Sequence, residues 1–261
     1  MARGVLVTVA YDGRGFSGFA SQPSRRTVSG ELLGALRAID PSIKEVRGAS
    51  RTDAGVHARG QRVAFDTALE VPARGWALGT SAHLPPEIAV RRAAFVPVAF
   101  TPRFESTGKR YRYLLLRDPT RDPFLEGRAW RAPGMNAGAA LALAQAEAAC
   151  AVGTHDFAAF RSAADERSVT VRTLTELRVA LDPTDARIWR IDVAGSAFLH
   201  HMVRILVGTL IDVARGRLAP GAIARALASR DRRDAGITAP PDGLYLEHVE
   251  LREEGTDAWP A

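Results

Sequence analysis

Cysteine is almost missing from this chain. Cys150 is the only one, which excludes an intrachain disulfide and a zinc site built from cysteine alone. Its alanine-rich surroundings, LALAQAEAAC, predict a small core residue. Lysine is nearly as scarce: Lys44 and Lys109 are the only two, so the basic charge is almost all arginine. Long apolar runs are absent too, and a membrane-crossing helix needs about 20 such residues. The most apolar stretch, Phe198 to Val213, is broken by His200, His201, Arg204 and Asp212. The opening MARGVLVTVAYDG is too short and too β-branched for a secretory leader. The expectation is a cytoplasmic protein with no membrane segment.

What is present is ordinary for a globular protein. The 261 residues are 46% hydrophobic and 25% charged, enough for one large or two modest domains. The formal charge of +6 favours phosphate-rich partners such as nucleic acid.

Gly4 to Ala10 reads as a strand ended by Asp12-Gly13. Val28, Leu32, Leu36 and Ile39 fall at helical spacing, with Ser29 as the expected N-cap and Pro41 as the stop. Lys44 to Ala49 reads as a short strand, and QRVAFDT as a longer one. A helix near Arg74 to Ala82 and a strand near Ile88 to Phe95 follow. Beyond Pro97 and Pro102 come a strand (Lys109 to Arg117), a helix (Asn136 to Cys150, with Asn136 as cap) and two strands (Thr173 to Leu181, Arg187 to Val193). A long helix (Phe198 to Arg215), a shorter one (Pro220 to Ser229) and a strand (Gly243 to Leu251) close the chain. Adjacent strand pairs in mixed order with helices predict an α+β fold, not a doubly wound one. The expected units are 1–104 and 105–261.

Gly13, Gly15 and Gly18 spell the dinucleotide fingerprint GxGxxG after a strand. The context fails: Pro23 falls where the second turn of the phosphate-binding helix would be. A glycine turn or a nucleic-acid-contacting loop with Arg25 and Arg26 remains.

The segment Arg51, Thr52, Asp53, Ala54, Gly55, Val56, His57 sets a carboxylate among small residues with cations nearby. An aspartate in a turn often only bonds its own backbone, so spacing alone leaves Asp53 either structural or catalytic. Arg204 stands in an apolar helix, where a cation needs an anion or a route to solvent. On a helix His200, His201, Arg204 and Gly208 share one polar or small stripe, and Asp53 is the obvious anion for it. Adjacent helical histidines point about 100° apart, which disfavours one shared metal ion. His57 is read as a structural hydrogen-bonding group or a proton shuttle. Lys109, Tyr111 and Tyr113 alternate onto one strand face, as core packing or as a stacking surface.

GASRTDAGVHARGQ resembles the signature of the TruA family of tRNA pseudouridine synthases. YDGRGFSGF, KRYRY, GTHDFAAFRS, SAFLHHMVRILVG and APPDGLYLEHV resemble further family segments, in order along nearly the whole chain. The resemblance implies the pseudouridine synthase fold: two similar units of mixed or antiparallel sheet, helices outside, and a central basic cleft. It makes Asp53 the catalytic carboxylate, pairs Arg204 with it, and stacks Tyr111 on the target base. It implies action at positions 38, 39 and 40 of the tRNA anticodon stem-loop, by a homodimer, with no cofactor and no metal. Arg51, Thr52, His57, Tyr111, Arg14, Arg25 and Arg26 are the expected substrate contacts, with Arg59 and Arg62 as further phosphate candidates. The chain departs from the family at Phe16, Phe19, Ala20 and Ser21, at Ser29 after Thr27-Val28, and at Ser196, all of which bear on RNA contact. Two other readings stand beside this one. The first is a non-catalytic tRNA-binding protein or RNA chaperone on the same fold. The second is a nucleotide-dependent oxidoreductase resting on the glycine fingerprint.

Overall fold

A computed structural model describes residues 2–135 and 137–260. In chain order the elements are β1 (Arg3–Tyr11), α1 (Val28–Ile39), β2 (Arg47–Gly48), β3 (His57–Thr67), α2 (Ala73–His83), β4 (Ile88–Val96) and α3 (Pro102–Glu105). There follow β5 (Ser106–Leu116), β6 (Trp130–Arg131), α4 (Ala137–Cys150), β7 (Gly153–Asp156), β8 (Val171–Leu181) and β9 (Ile188–Gly195). The chain closes with α5 (Met202–Ala214), α6 (Ala222–Ser229), β10 (Leu244–Leu251) and β11 (Thr256–Trp259). The contacts define two compact units, residues 1–107 with 245–261, and residues 108–244. The C-terminal strands belong to the first unit because β10 pairs in parallel with β3 and β11 antiparallel with β4. A single cut at 104/105 does not follow that return. Both units mix sheet and helix, as an α+β fold requires.

In the first unit the strand order is β11-β4-β1-β3-β10. β1 is central because Val5, Leu6, Val7 and Val9 are all buried, so neither face can be left to water. It pairs antiparallel with β3 and β4. Trp76 of α2 is fully buried and meets Phe65 of β3 edge-on at 5.1 Å. Thr27, not Ser29, caps α1: it is extended, and its Oγ1 accepts the Gly30 N–H at 3.3 Å, while Ser29 is already inside the helix. The strand expected over Lys44 to Ala49 shrinks to β2, two residues paired with β3.

In the second unit the order is β5-β9-β8-β7, antiparallel throughout, with β6 beside β5. One sheet face buries Tyr111, Tyr113, Leu115, Ile191, Val193, Leu177 and Val179. The other carries Arg110, Arg112, Glu176, Arg178, Arg190 and Asp192, the alternation of a half-solvated sheet. Asp192 bridges Arg112 at 2.8 Å and Arg190 at 2.9 Å. α4 buries Ala140, Ala144, Glu147 and Ala148, and that stripe leaves Cys150 exposed, not in the core. The expected Asn136 cap lies outside the described residues.

The long helix expected from Phe198 begins only at Met202. His201 has φ +62°, a left-handed conformation that ends any helical run through it. His200 and His201 therefore do not share a helical stripe with Arg204. The divergence argued from helix geometry does not apply to them either: their ring centroids are 4.0 Å apart.

Candidate active site

The Asp53 loop links β2 to β3 in the first unit, and its backbone is held at several points. Ala49 N–H reaches Arg62 O at 2.8 Å, the last rung before the loop leaves the sheet. Gln61, fully buried on β3, then takes over with its side chain. Its Nε2 donates to Ser50 O at 2.7 Å and its Oε1 accepts Ser50 N–H at 3.2 Å. Thr52 is buried, its hydroxyl 2.7 Å from that of Tyr11, and its carbonyl accepts Phe19 N–H at 3.1 Å. Val56 N–H closes the turn on Asp53 O at 3.1 Å. The Asp53 side chain is partly exposed and its neighbours Arg51 and Ala54 are exposed.

Two of the three glycines of the apparent dinucleotide fingerprint, Gly13 and Gly18, serve this loop. A Cβ on Gly13 would lie 2.1 Å from Val56 O. Gly18 has φ +94°, and a Cβ there would lie 2.8 Å from Thr52 O. Side chains at these positions would push the N-terminal loop off the Asp53 turn. A near-backbone approach, not a pyrophosphate, accounts for the motif.

The other expected contacts are distributed unevenly. His57 is buried, its ring stacked on Tyr245 at 4.6 Å, and its Nδ1 accepts the Gly13 N–H at 3.1 Å. The same nitrogen is 3.3 Å from Asp12, but it cannot donate there while accepting from Gly13; only the protonated ring pairs with that carboxylate. This geometry is that of a structural hydrogen bond. Burial raises the Asp12 carboxyl, but hydrogen bonds from the Arg14 side chain and backbone, joined by the His57 charge when that ring is protonated, outweigh it and hold the pKa at about 2. Arg14 pairs with Asp12 at 2.7 Å, and Arg26 with Glu31 at 2.9 Å and Glu87 at 3.3 Å while lying over the Phe16 ring. Arg25 and Arg51 are exposed and form no ion pair among the described residues. Arg59 is exposed over the Tyr245 ring and pairs with Glu247. Arg62, by contrast, is buried against Glu254 and is no surface phosphate contact.

In the second unit Tyr111 is buried with its ring edge-on to Phe198 at 5.1 Å. Tyr113, two residues on, donates its hydroxyl to Pro240 O at 2.8 Å. Burial pushes that hydroxyl well above its ordinary pKa; the Arg204 charge opposes the shift and Asp242 adds to it. Arg204 is half-buried, and its Nε donates to Ala239 O at 2.8 Å while Ala239 N–H returns a bond to Arg204 O at 3.0 Å. The small stripe of α5 therefore receives a chain segment. Gly236 N–H reaches Thr209 Oγ1 at 2.9 Å, Ile237 N–H reaches Asp212 Oδ2 at 3.0 Å, and a Cβ on Gly208 would lie 1.8 Å from Ile237 O.

Asp165 is a residue that the sequence reading missed. Its carboxylate accepts Arg167 Nη2 at 2.5 Å and the His200 N–H at 2.8 Å. The Arg167 hydrogen bond, opposed by burial and joined by His200, holds it well below the usual carboxylate range. It fixes the turn from which α5 starts. Nothing in AADERS marks that role; only the fold brings it to His200.

A family model described as tRNA pseudouridine synthase matches residues 148–251. The match to individual relatives runs nearly end to end. The tRNA pseudouridine synthase A of Citrifermentans bemidjiense is 40% identical over 97% of this chain and 99% of that protein. That of Geobacillus kaustophilus is 38% identical over 97% and 96%, and that of Ralstonia nicotianae 42% over 94% and 89%. The chain belongs to the tRNA pseudouridine synthase A family, isomerases of uridine in tRNA.

Proposed function

We propose that this protein isomerises uridine to pseudouridine at positions 38, 39 and/or 40 of the tRNA anticodon stem-loop, with Asp53 as the essential carboxylate. The observation that carries this reading is the Asp53 turn itself, with the family signature on an anchored backbone. The C1′–N1 bond breaks, the base rotates, and C5 bonds to C1′. One proton leaves C5 and one arrives at N1, so nothing is oxidised or reduced and no cofactor is consumed. Asp53 either bonds C1′ or removes a ribose proton after glycosidic cleavage. Arg204 keeps the carboxylate ionised and oriented, and Tyr111 stacks on the flipped base, at an unstacking cost of a few kcal/mol. These roles rest on the family resemblance. So do the cytoplasmic, homodimeric state and the choice of stem-loop positions. No helix among the described residues is long and apolar enough to cross a membrane.

Asp53→Asn tests the reading. Single-turnover pseudouridine formation on a tRNA transcript falls by at least about a hundredfold, near 3 kcal/mol in the barrier, while tRNA affinity stays within about threefold. An undiminished rate overturns the assignment. A non-catalytic tRNA-binding protein would instead show no pseudouridine formation in the wild type.

A further inference from the structure

We propose that Gln61 and Tyr11 are positioning residues that hold the Asp53 turn in its reactive conformation, acting through Ser50 and Thr52 and not by touching RNA. The inference rests on the reading of Asp53 as the essential carboxylate.

Gln61 is a carboxamide with no exposed surface in a strand whose neighbours Val63, Ala64 and Phe65 are equally buried. Methionine or leucine would fill such a position at lower cost, because a buried amide is tolerated only when its polar atoms find partners. Here they do. Nε2 donates to Ser50 O at 2.7 Å, and Oε1 accepts both Ser50 N–H and Arg62 N–H at 3.2 Å. The amide thus imitates one more rung of the β2–β3 ladder at the point where backbone pairing has stopped, after Gly48 against Val63 and Ala49 against Arg62. It reaches the residue three before Asp53. Tyr11, at the end of β1 and buried, pins the residue one before Asp53 through the 2.7 Å hydroxyl pair with Thr52. Both anchors are side chains from rigid central strands, and both grip the loop from the sheet side. A carboxylate that must meet one ribose atom needs its backbone fixed to a fraction of an ångström, and such supports supply that.

The test uses Gln61→Met, which keeps length and burial but removes both Ser50 bonds, together with Tyr11→Phe and Gln61→Glu. Single-turnover rate per folded molecule, tRNA affinity and melting temperature are measured on the full chain. Gln61→Met lowers the rate by about 10- to 100-fold with tRNA affinity within about threefold, and Tyr11→Phe lowers it by about tenfold. Gln61→Glu carries the distinguishing readout. Only its protonated form can both donate to Ser50 O and accept from Ser50 N–H, and burial favours that form. Its rate relative to the wild type therefore rises as the pH is lowered from about 8 to about 6. A wild-type rate per folded Gln61→Met molecule, whatever its melting temperature, overturns the proposal, as does a pH-independent Gln61→Glu ratio. Asp53→Asn, run in parallel, separates the two levels. If it is inactive while Gln61→Met is fully active, only the positioning role falls; if it is as active as the wild type, the underlying reading falls.

Discussion

The carboxyl of Asp12 joins the N-terminal loop to the start of β3, through Arg14 on one side and His57 on the other. Its pKa is about 2 in the folded chain against 3.8 ordinarily, so folding favours the ionised form. A depressed carboxyl of this kind stabilises the fold above its unfolded pKa, and that contribution is lost as the pH falls through the folded value. Between about pH 4 and pH 2 the wild type therefore loses stability that Asp12→Asn never had. Melting temperatures recorded across that window converge for the two proteins toward the acid end; parallel curves would show that Asp12 is not perturbed. The same scale explains what could be read in advance. Asp53 was legible because its neighbours spell a distinctive string. Its supports were not: Tyr11 and Thr52 are 41 positions apart, and Gln61 and Ser50 are 11 apart, linked only once β1 and β3 pair. Thr52 and His57 were expected at the substrate. Thr52 is in fact turned toward Tyr11, and His57 is packed under Tyr245.

At the scale of elements, α6 shows how one unit closes on itself. Its N-cap is Gly221, with a left-handed backbone and no side chain to cap the first turn. Glu147 of α4 supplies the acceptor: its carboxylate takes the Gly221 N–H and, at 2.9 Å, the Ile223 N–H, while almost wholly buried. Anionic acceptors at a helix N-terminus are favourable in both hydrogen bonding and dipole. Glu147→Ala strands two N–H groups and costs about 2 to 3 kcal/mol, read as a lower urea midpoint at unchanged m-value. Long elements were legible from sequence because burial marks them over many residues: β5 alternates and α1 repeats at helical spacing, while β1, β3 and α5 are nearly continuous buried runs. Short ones were not. β6, β7 and β11 span two to four residues, too few for any period, and exist only because a neighbouring strand is in place. The start of α5 was misjudged for a different reason. Apolar periodicity runs back to Phe198, but Asp165 binds the His200 N–H and His201 adopts φ +62°, and neither is a local property of the sequence.

At the scale of the whole molecule the relevant quantity is charge that a phosphate can use. The formal charge is +6, yet many arginines are already engaged. Arg26 is bracketed by Glu31 and Glu87, Arg14 is paired with Asp12, and Arg59 with Glu247, so each meets RNA only by giving up a carboxylate. Arg62 is buried with Glu254 and cannot meet it at all. Arg25 and Arg51 are exposed, form no ion pair among the described residues, and lie on the N-terminal loop and the Asp53 turn. Neutralising a phosphate releases a condensed counterion, so binding weakens with salt in proportion to the number of such contacts. The logarithm of tRNA affinity against the logarithm of salt concentration should therefore be linear with a negative slope. Arg25→Ala combined with Arg51→Ala reduces that slope by about 1 to 2, whereas Arg26→Ala changes it by less than about 0.5 because the removed charge was locally neutralised. Filter binding of a tRNA transcript between about 50 and 300 mM salt measures this. If Arg26→Ala flattens the slope as much as the Arg25 and Arg51 pair does, then the carboxylates around Arg26 are displaced on binding and the N-terminal loop rearranges onto the RNA.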